Sequence, residues 1–347
     1  MASSADCNSS GCSRVFLTYH PSLGGNAVLL ALFAALIPLA LGLGIKYKSS
    51  VFSTAIATGL ALEVMGYIGR LLSHNDPADR AAFVVFLVGT ILGPTFICGA
   101  IFLVMPRIVT LYGDEYRSWR PVWYPFVFYA LTAAALILEL AGGIVSTVQD
   151  DHDIIQSGVS VLAVGLAIQI VALAIFISHA MLFAISVRTR HHALDVKFTA
   201  VYNSASFKVF LYAFALATSL LVLRTAYRIV VIAEGFESSV AQDETLFLVL
   251  DGAMVLIATT ILLAFFPSRI FGQSWSQTSA RRLSQAPPRP SRPYPLEPPS
   301  AQRIPAYNQM GIKASVTNNH APRYSPRKSQ YLDPLPQRNM VDDNALW

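Results

Sequence analysis

Long apolar stretches separated by short polar loops fill residues 25–266 of the chain. A hydrocarbon core about 30 Å thick is crossed by about 20 mostly apolar residues, and seven stretches reach that length. They are 25–45, 51–72, 83–105, 123–145, 158–187, 208–232 and 246–266. Because lipid offers no hydrogen-bond partner to exposed backbone groups, each stretch is expected to be an α-helix. The pattern predicts an all-α, polytopic membrane protein with a seven-transmembrane-helix bundle.

The composition excludes an ordinary cytosolic enzyme. Hydrophobic residues make up 54% of the 347 residues and charged residues 13%, about half the charged fraction of a soluble domain. The chain contains no phosphate-cradling glycine loop, no HExxH pair and no nucleophile elbow. We therefore expect no enzymatic activity, no catalytic residue, no cofactor, no metal site and no nucleic-acid partner.

Three regions follow from the composition along the chain. Residues 1–24 form a polar N-terminal segment without the features of a cleavable signal peptide, and 25–267 form the transmembrane domain. Residues 273–347 hold 10 Lys/Arg, 4 Asp/Glu and 12 of the 20 prolines. Such a segment buries too little apolar surface to offset its ordering entropy, so we predict a disordered, basic, Pro-rich tail over 268–347.

The charges of the short loops predict the orientation of the bundle. Cations concentrate on one alternating set of loops, namely Lys46, Lys48, Arg107, Arg117, Arg120, Arg188, Arg190, Lys197 and Lys208. The other set, together with the N-terminal segment, offers only Arg14 and Arg80 and is otherwise acidic. Since short cation-rich loops stay in the cytosol, we expect the N-terminus outside and the C-terminus in the cytosol.

The two ends of the chain carry candidate modification sites. An outside N-terminus would expose the sequon at Asn8 to glycosylation, and it would allow a disulfide between Cys7 and Cys12. On the inner side, Ser284 follows Arg281–Arg282, as a basophilic kinase prefers, so a cytosolic kinase or scaffold is a candidate partner of the tail. The alternatives are an unused sequon and a solvated linker with an incidental serine.

Six ionisable residues lie well inside the predicted helices, where charges are expensive and usually functional. They are Glu63, Arg70, Glu139, Arg224, Arg228 and Asp251. Arg224 and Arg228 are one turn apart and repel, so they need anions from neighbouring helices or a phosphate-bearing ligand. One interpretation is a set of ion pairs that only fix packing. The other is a cavity opening outward, in which arginines bind phosphate or hydroxyls while Glu63 or Asp251 binds an amine.

The chain resembles the fungal lipid-translocating exporter family from about Tyr19 to Pro267. The specific segments are Leu62–Arg70 (LEVMGYIGR) and Arg224–Arg228 (RTAYR). Further matching positions are Tyr19–Ser22, Asn26, Gly142, Gly143, Gly165, Leu166, Gln169, Gly235, Glu244, Asp251 and Pro267. The chain departs from the family at Glu139, where a glutamine is usual, and at Val231, where a glutamate is usual. We hypothesise that Glu139 replaces the missing anion beside Arg228.

The resemblance implies a plasma-membrane protein that exports, or facilitates the flux of, amphipathic lipids such as sphingoid long-chain bases. Such a protein would affect lipid asymmetry and stress resistance. The substrate-binding residues it implies, with those inferred above, are Glu63, Tyr67, Arg70, Glu139, Arg224, Tyr227, Arg228 and Asp251. Two alternatives stay open: a seven-helix receptor or sensor of an amphipathic ligand, and a scaffold that organises other membrane proteins through its tail. The oligomeric state is not predicted.

Overall fold

The computed structural model of the protein describes residues 19–76, 78–112, 123–148, 151–189, 198–236 and 238–278. The side chains of residues 123–125 and of His152 are excluded from that description. The candidate modification sites at Asn8, Cys7, Cys12 and Ser284 lie outside the described residues, as does the tail beyond Thr278. These predictions therefore stay predictions.

The described residues are helical throughout their membrane-length segments, which confirms the predicted fold class. Seven helical segments are long and apolar enough to cross a membrane. The helices are α1 (Leu23–Lys46), α2 (Ser50–Asn75), α3 (Arg80–Phe102), α4 (Met105–Tyr112), α5 (Trp123–Val148), α6 (His152–Thr189), α7 (Thr199–Tyr202), α8 (Ala205–Glu234), α9 (Glu244–Leu246), α10 (Met254–Ala264), α11 (Pro267–Phe271) and α12 (Ser274–Gln277). A π-helical segment, Phe247–Ala253, joins α9 to α10, so these three elements form the seventh span.

The predicted helix ends agree with the structure to within a few residues, with one clear exception. Helix α6 begins six residues before the predicted start at 158 and has 38 residues. At 1.5 Å per residue it is about 57 Å long. It is therefore far longer than the hydrocarbon core and extends beyond it at one end or both.

Sequential spans pack side by side in a ring. The pairs in contact are α1–α2, α2–α3, α3–α5, α5–α6, α6–α8 and α8–α10, and α10 returns to α1. Helix α3 also touches α6 and α8 across the ring, and it is the most buried of the seven spans. A residue on α3 can therefore meet side chains from most of the bundle.

Glycines bring two of these pairs into close contact. A Cβ atom added to Gly69 of α2 would lie 2.5 Å from the backbone nitrogen of Phe86 in α3. A Cβ atom on Gly158 of α6 would lie 2.5 Å from the backbone nitrogen of Ser146 in α5. Neither approach leaves room for a side chain, because real Cβ atoms essentially never come this close. Small residues serve this function widely at helix contacts within membranes.

The two ends of the bundle are closed by different segments. At one end, called the Tyr19 end, residues 19–22 cross the ends of α2 and the seventh span; we call them the N-terminal strap. At the other, called the Trp275 end, α11 and α12 pack beneath the bundle, with Phe271 5.5 Å from the ring of Phe207. Arg107 donates a hydrogen bond to the carbonyl of Trp275 at 2.5 Å and stacks on its ring.

These contacts correct the predicted start of the tail. The predicted disordered tail includes residues 268–278, but these residues form helical turns with buried Phe271 and Trp275. The two aromatic side chains are four residues apart and so share one helical face. That apolar anchor precedes the Pro-rich composition, which begins only after Thr278.

Candidate functional site

An ion-pair cluster of three side chains lies between α8 and the seventh span. Arg224 Nε is 2.8 Å from Asp251 Oδ1, and Arg228 Nη1 is 3.9 Å from Asp251 Oδ2. None of the three side chains is more than 3% exposed. Of the two alternatives expected for the paired arginines, an anion from a neighbouring helix or a phosphate-bearing ligand, the structure shows the first. We call these residues the Asp251 cluster.

Thr90 of α3 completes the Asp251 cluster. Arg224 donates to the carbonyl oxygen of Thr90, and Arg228 Nη2 donates to its hydroxyl oxygen at 2.7 Å. One residue of the central helix therefore accepts a hydrogen bond from each arginine, and their charge is spread over Asp251 and two dipoles. Sequence reasoning missed Thr90, because a single threonine in an apolar helix carries no signal of its own.

A local change of helix type positions Asp251. It lies in the π-helical segment Phe247–Ala253, which follows an N-terminal cap formed by Asp243. A π-helix widens the turn, and such segments occur mostly at functional sites. Next to Asp251, Gly252 lies against the hydroxyl of Tyr67, where a Cβ atom would collide with that oxygen. The wide turn and the glycine thus seat the seventh span on α2.

Glu63 and Tyr67 of α2 are buried beside the Asp251 cluster without hydrogen-bond partners of their own. Glu63 is 2% exposed and Tyr67 is fully buried. Among the described residues, Glu63 Oε1 and the Tyr67 hydroxyl have no hydrogen-bond partner. Glu63 is within electrostatic range of Asp251 and of both cluster arginines. The charges of the Asp251 cluster therefore compensate one another through ion pairs, although Asp251 Oδ1 and both arginine Nε atoms make no hydrogen bond among the described residues. Glu63 and Tyr67 make neither an ion pair nor a side-chain hydrogen bond there.

Arg70 lies one turn farther along the same face of α2, toward the Tyr19 end. Its guanidinium is 3.9 Å from the ring centre of Phe247 and 5.0 Å from that of Phe86. It also donates a hydrogen bond to the hydroxyl of Tyr19 in the strap. Burial raises the pKa of the Tyr19 phenol, and the nearby Arg70 charge only partly opposes this. A neutral phenol and two aromatic faces thus hold a buried cation.

The N-terminal strap is bonded to both α2 and the seventh span. Glu244 Oε1 accepts hydrogen bonds from the backbone nitrogen of Ser22 at 2.7 Å and from Asn26 Nδ2 at 3.1 Å. On α2, His74 Nδ1 lies 2.7 Å from the carbonyl oxygen of Pro21. The strap therefore lies across the Tyr19 end, over Arg70.

The space beside Arg70 is small. A cavity of about 20 Å³ is bordered by Arg70, Tyr227 and Arg228, together with aromatic side chains of α3 and the seventh span. That volume suits about one water molecule, which needs roughly 10–15 Å³. In the part of the chain that the structure describes, the region of the expected outward-opening pocket therefore holds this narrow cavity. The arginines do not line an open site, because they are held by Asp251, Thr90 and Tyr19.

Glu139 occupies a different place from the one hypothesised. Its Oε2 accepts a hydrogen bond from the Thr95 hydroxyl at 2.9 Å, between α5 and α3. Because Arg228 bonds Asp251 and Thr90 instead, the hypothesis of a Glu139–Arg228 pair is wrong. Glu139 Oε1 and both polar atoms of Gln169 on α6 have no hydrogen-bond partner among the described residues. Nor does any group of three His, Cys, Asp or Glu within that described part form a metal-binding arrangement.

Of the eight predicted substrate-binding residues, the structure thus groups seven on α2, α8 and the seventh span and leaves Glu139 apart. Sequence reasoning missed Tyr19 and Glu244 as contacts of this region. A signal existed, since both belong to the positions that match the family, but no spacing rule indicated that they lie at the same end of the bundle. Nothing in the sequence marked the π-helical turn.

Comparisons with known proteins agree with this architecture. Residues 56–274 match the family model described as RTA1 like protein. The sphingoid long-chain base transporter RSB1 of Saccharomyces cerevisiae is 28% identical over 286 residues, covering 74% of each chain. From the same species, protoporphyrin uptake protein 1 is 24% identical over 66% of this chain and 72% of its own. Protein RTA1 is 22% identical over 60% of this chain and 63% of its own.

No solved structure matches this chain significantly. Its seven apolar helices and its relatives make it a multi-pass membrane protein. The matched region spans α2 to α12 and includes the Asp251 cluster and the α2 face from Glu63 to Arg70. The family model accounts for more than half of the chain, and the chain therefore belongs to the RTA1-like protein family.

Proposed function

We propose that this protein moves amphipathic lipids carrying an ammonium group, such as sphingoid long-chain bases, between the leaflets of a fungal plasma membrane. The direction is from the inner to the outer leaflet, and the consequences are altered lipid asymmetry and stress resistance. Support comes from the relative that is named a sphingoid long-chain base transporter. The protein acts as a transporter or flux facilitator rather than as an enzyme.

The observation that carries the proposal is the buried carboxylate of Glu63. A carboxylate in an apolar interior is costly unless a cation or hydrogen-bond donors compensate it. Asp251 already has two arginines, whereas Glu63 Oε1 has no hydrogen-bond donor among the described residues. A substrate ammonium group would supply the missing cation, and the unpartnered Tyr67 hydroxyl would accept or donate a further hydrogen bond.

The structure corresponds to a closed state in this scheme. The cavity of about 20 Å³ beside Arg70 is too small for a lipid headgroup. Headgroup passage would require the strap to leave Arg70 and Glu244, while the alkyl chain stays in the surrounding lipid. The chain contains no ATP-binding signature, so uphill movement would use an ion gradient or a partner, and passive scrambling would use neither.

Flux of labelled sphingoid base in vesicles containing only the purified full-length protein tests the proposal. Wild type should accelerate the movement of the free base over protein-free vesicles, but not that of its N-acetylated, uncharged form. Glu63→Gln should reduce this flux by about tenfold or more, because a charged hydrogen bond of about 1.5–3 kcal/mol is lost. Asp153→Asn, which alters an exposed acid at the start of α6, is the matched control.

Four outcomes would contradict the proposal. Equal movement of free and N-acetylated base, or full flux in Glu63→Gln, would exclude an ammonium site at Glu63. Saturable binding of the base without any flux would favour the receptor. The absence of both binding and flux would favour the scaffold.

A further inference from the structure

A groove of about 390 Å³ lies at the Trp275 end, on the opposite half of the molecule from the strap. Its walls come from α6 and α8, and its floor is the short helix α4, which contributes Met105, Ile108 and Tyr112. The ring of Phe176 on α6 lies 6.2 Å from that of Phe214 on α8 and closes the inner end. Helices α6 and α8 touch each other, and α4 lies between them where it forms the floor of the groove.

The lining of the groove is apolar along its depth and cationic at one end. The hydroxyls of Thr218 and Ser219 are bonded to carbonyl oxygens one turn earlier in α8, so they present little polarity. Among the described residues of the lining, Lys208 in the first turn of α8 is the one cation. No hydrogen bond or ion pair joins its ammonium group to another of the residues that the structure describes. The exposed Arg188 follows groove residue Val187 at the same end of α6.

The dimensions match one leaflet. Lys208 and Ser219 are eleven residues apart on α8, which corresponds to about 16 Å at 1.5 Å per residue. That is about half of a hydrocarbon core of roughly 30 Å. Several lining side chains are exposed, among them Met181 and Tyr212, so the groove opens sideways, where the hydrocarbon would be. A lipid of that leaflet could enter with its chain in the groove and its headgroup at Lys208.

We propose that this groove is a binding site for an anionic membrane lipid, whose acyl chain lies between α6 and α8 and whose phosphate-bearing headgroup pairs with Lys208. The cation at the surface end selects an anionic headgroup and disfavours the ammonium group of a sphingoid base. The site is therefore separate from the α2 region and does not depend on the proposed function. A bound lipid would make the packing of α4, α6 and α8 depend on the lipid composition of that leaflet.

Binding to the full-length protein in nanodiscs of defined composition tests the site. The probe is a photoactivatable phosphatidylserine with the reactive group in its acyl chain, compared with phosphatidylcholine of identical chains. We expect cross-linked peptides from α6 and α8 and about fivefold stronger labelling by the anionic lipid. A single cation near a membrane surface contributes about 1 kcal/mol, which corresponds to that factor.

Two variants separate headgroup from chain recognition. Lys208→Gln should remove the preference for the anionic lipid, whereas Lys208→Arg should keep it. Lys46→Gln changes a cation outside the lining and should leave the preference unchanged. Ala215→Trp should block the groove and abolish labelling by both lipids. Equal labelling of Lys208→Gln and wild type, labelling spread evenly over the bundle, or undiminished labelling of Ala215→Trp would overturn the proposal. Labelling by the two lipids is compared within each folded variant. If Lys208→Gln or Ala215→Trp fails to express, the other variant still tests the proposal.

Discussion

The two halves of the bundle bury their interiors in opposite ways. The Tyr19 half contains the five buried charged side chains of α2, α8 and the seventh span and leaves a cavity of about 20 Å³. The Trp275 half has an apolar interior around a groove of about 390 Å³. Charged groups must stay within bonding distance of their partners, so they force tight packing. Apolar side chains do not require tight packing, because lipid chains can fill the space between them.

Breaking the Asp251 cluster should have the largest effect. Asp251→Asn leaves Arg224 and Arg228 buried without a carboxylate, and removal of one partner of a buried pair costs about 3–5 kcal/mol. The measurement is the free energy of unfolding in detergent, followed by circular dichroism. Asp153→Asn makes the same chemical change at an exposed site and should leave that free energy unchanged. Equal stability of the two variants would mean that the cluster does not hold the Tyr19 half together.

Added volume in the Tyr19 half should have the next largest effect. Gly69→Val would push side-chain atoms into the backbone of α3, where even a Cβ atom lies 2.5 Å from the nitrogen of Phe86. Overpacking of this kind costs about 1–3 kcal/mol. Gly42→Val is the control, because nothing lies within 4 Å of a Cβ atom at that position of α1. The same unfolding measurement should separate the two variants, and comparable losses would show that the α2–α3 contact yields easily.

A smaller effect is expected where the strap meets the seventh span. Glu244→Gln replaces a charged acceptor of the Ser22 and Asn26 hydrogen bonds by a neutral one, at a cost of about 1 kcal/mol. The strap should become more accessible, measured as faster proteolysis at residues 19–22 in the folded protein. Glu234→Gln, at the exposed end of α8, should leave the rate unchanged. A strap that stays protected in Glu244→Gln would place its attachment at Arg70 or His74.

The sequence predicts these two halves unequally. The length and periodicity of the apolar stretches suffice to predict seven helices, because the membrane imposes both. The face of Glu63, Tyr67 and Arg70 follows from helical spacing alone, and all three side chains are buried. Which acid pairs with which arginine does not follow, because it depends on helix rotation and on the extra residue in the π-helical turn at Asp251. The groove escapes prediction for a related reason, since an empty space between helices leaves no mark on either apolar sequence.

The smallest effect should come from filling the groove. Ala184 of α6 lines it, and Ala184→Leu would direct its added methyl groups into open space instead of packed atoms. The free energy of unfolding should stay within about 0.5 kcal/mol of wild type. Ala172→Leu, three turns earlier on the same helix at a fully buried position, should lose about 1–3 kcal/mol through overpacking. Because both variants share helix, residue type and added volume, their difference measures only how much space surrounds each position. If Ala184→Leu lost as much as Ala172→Leu, the groove would be closed in the membrane, and the contrast between a packed polar half and an open apolar half would fail.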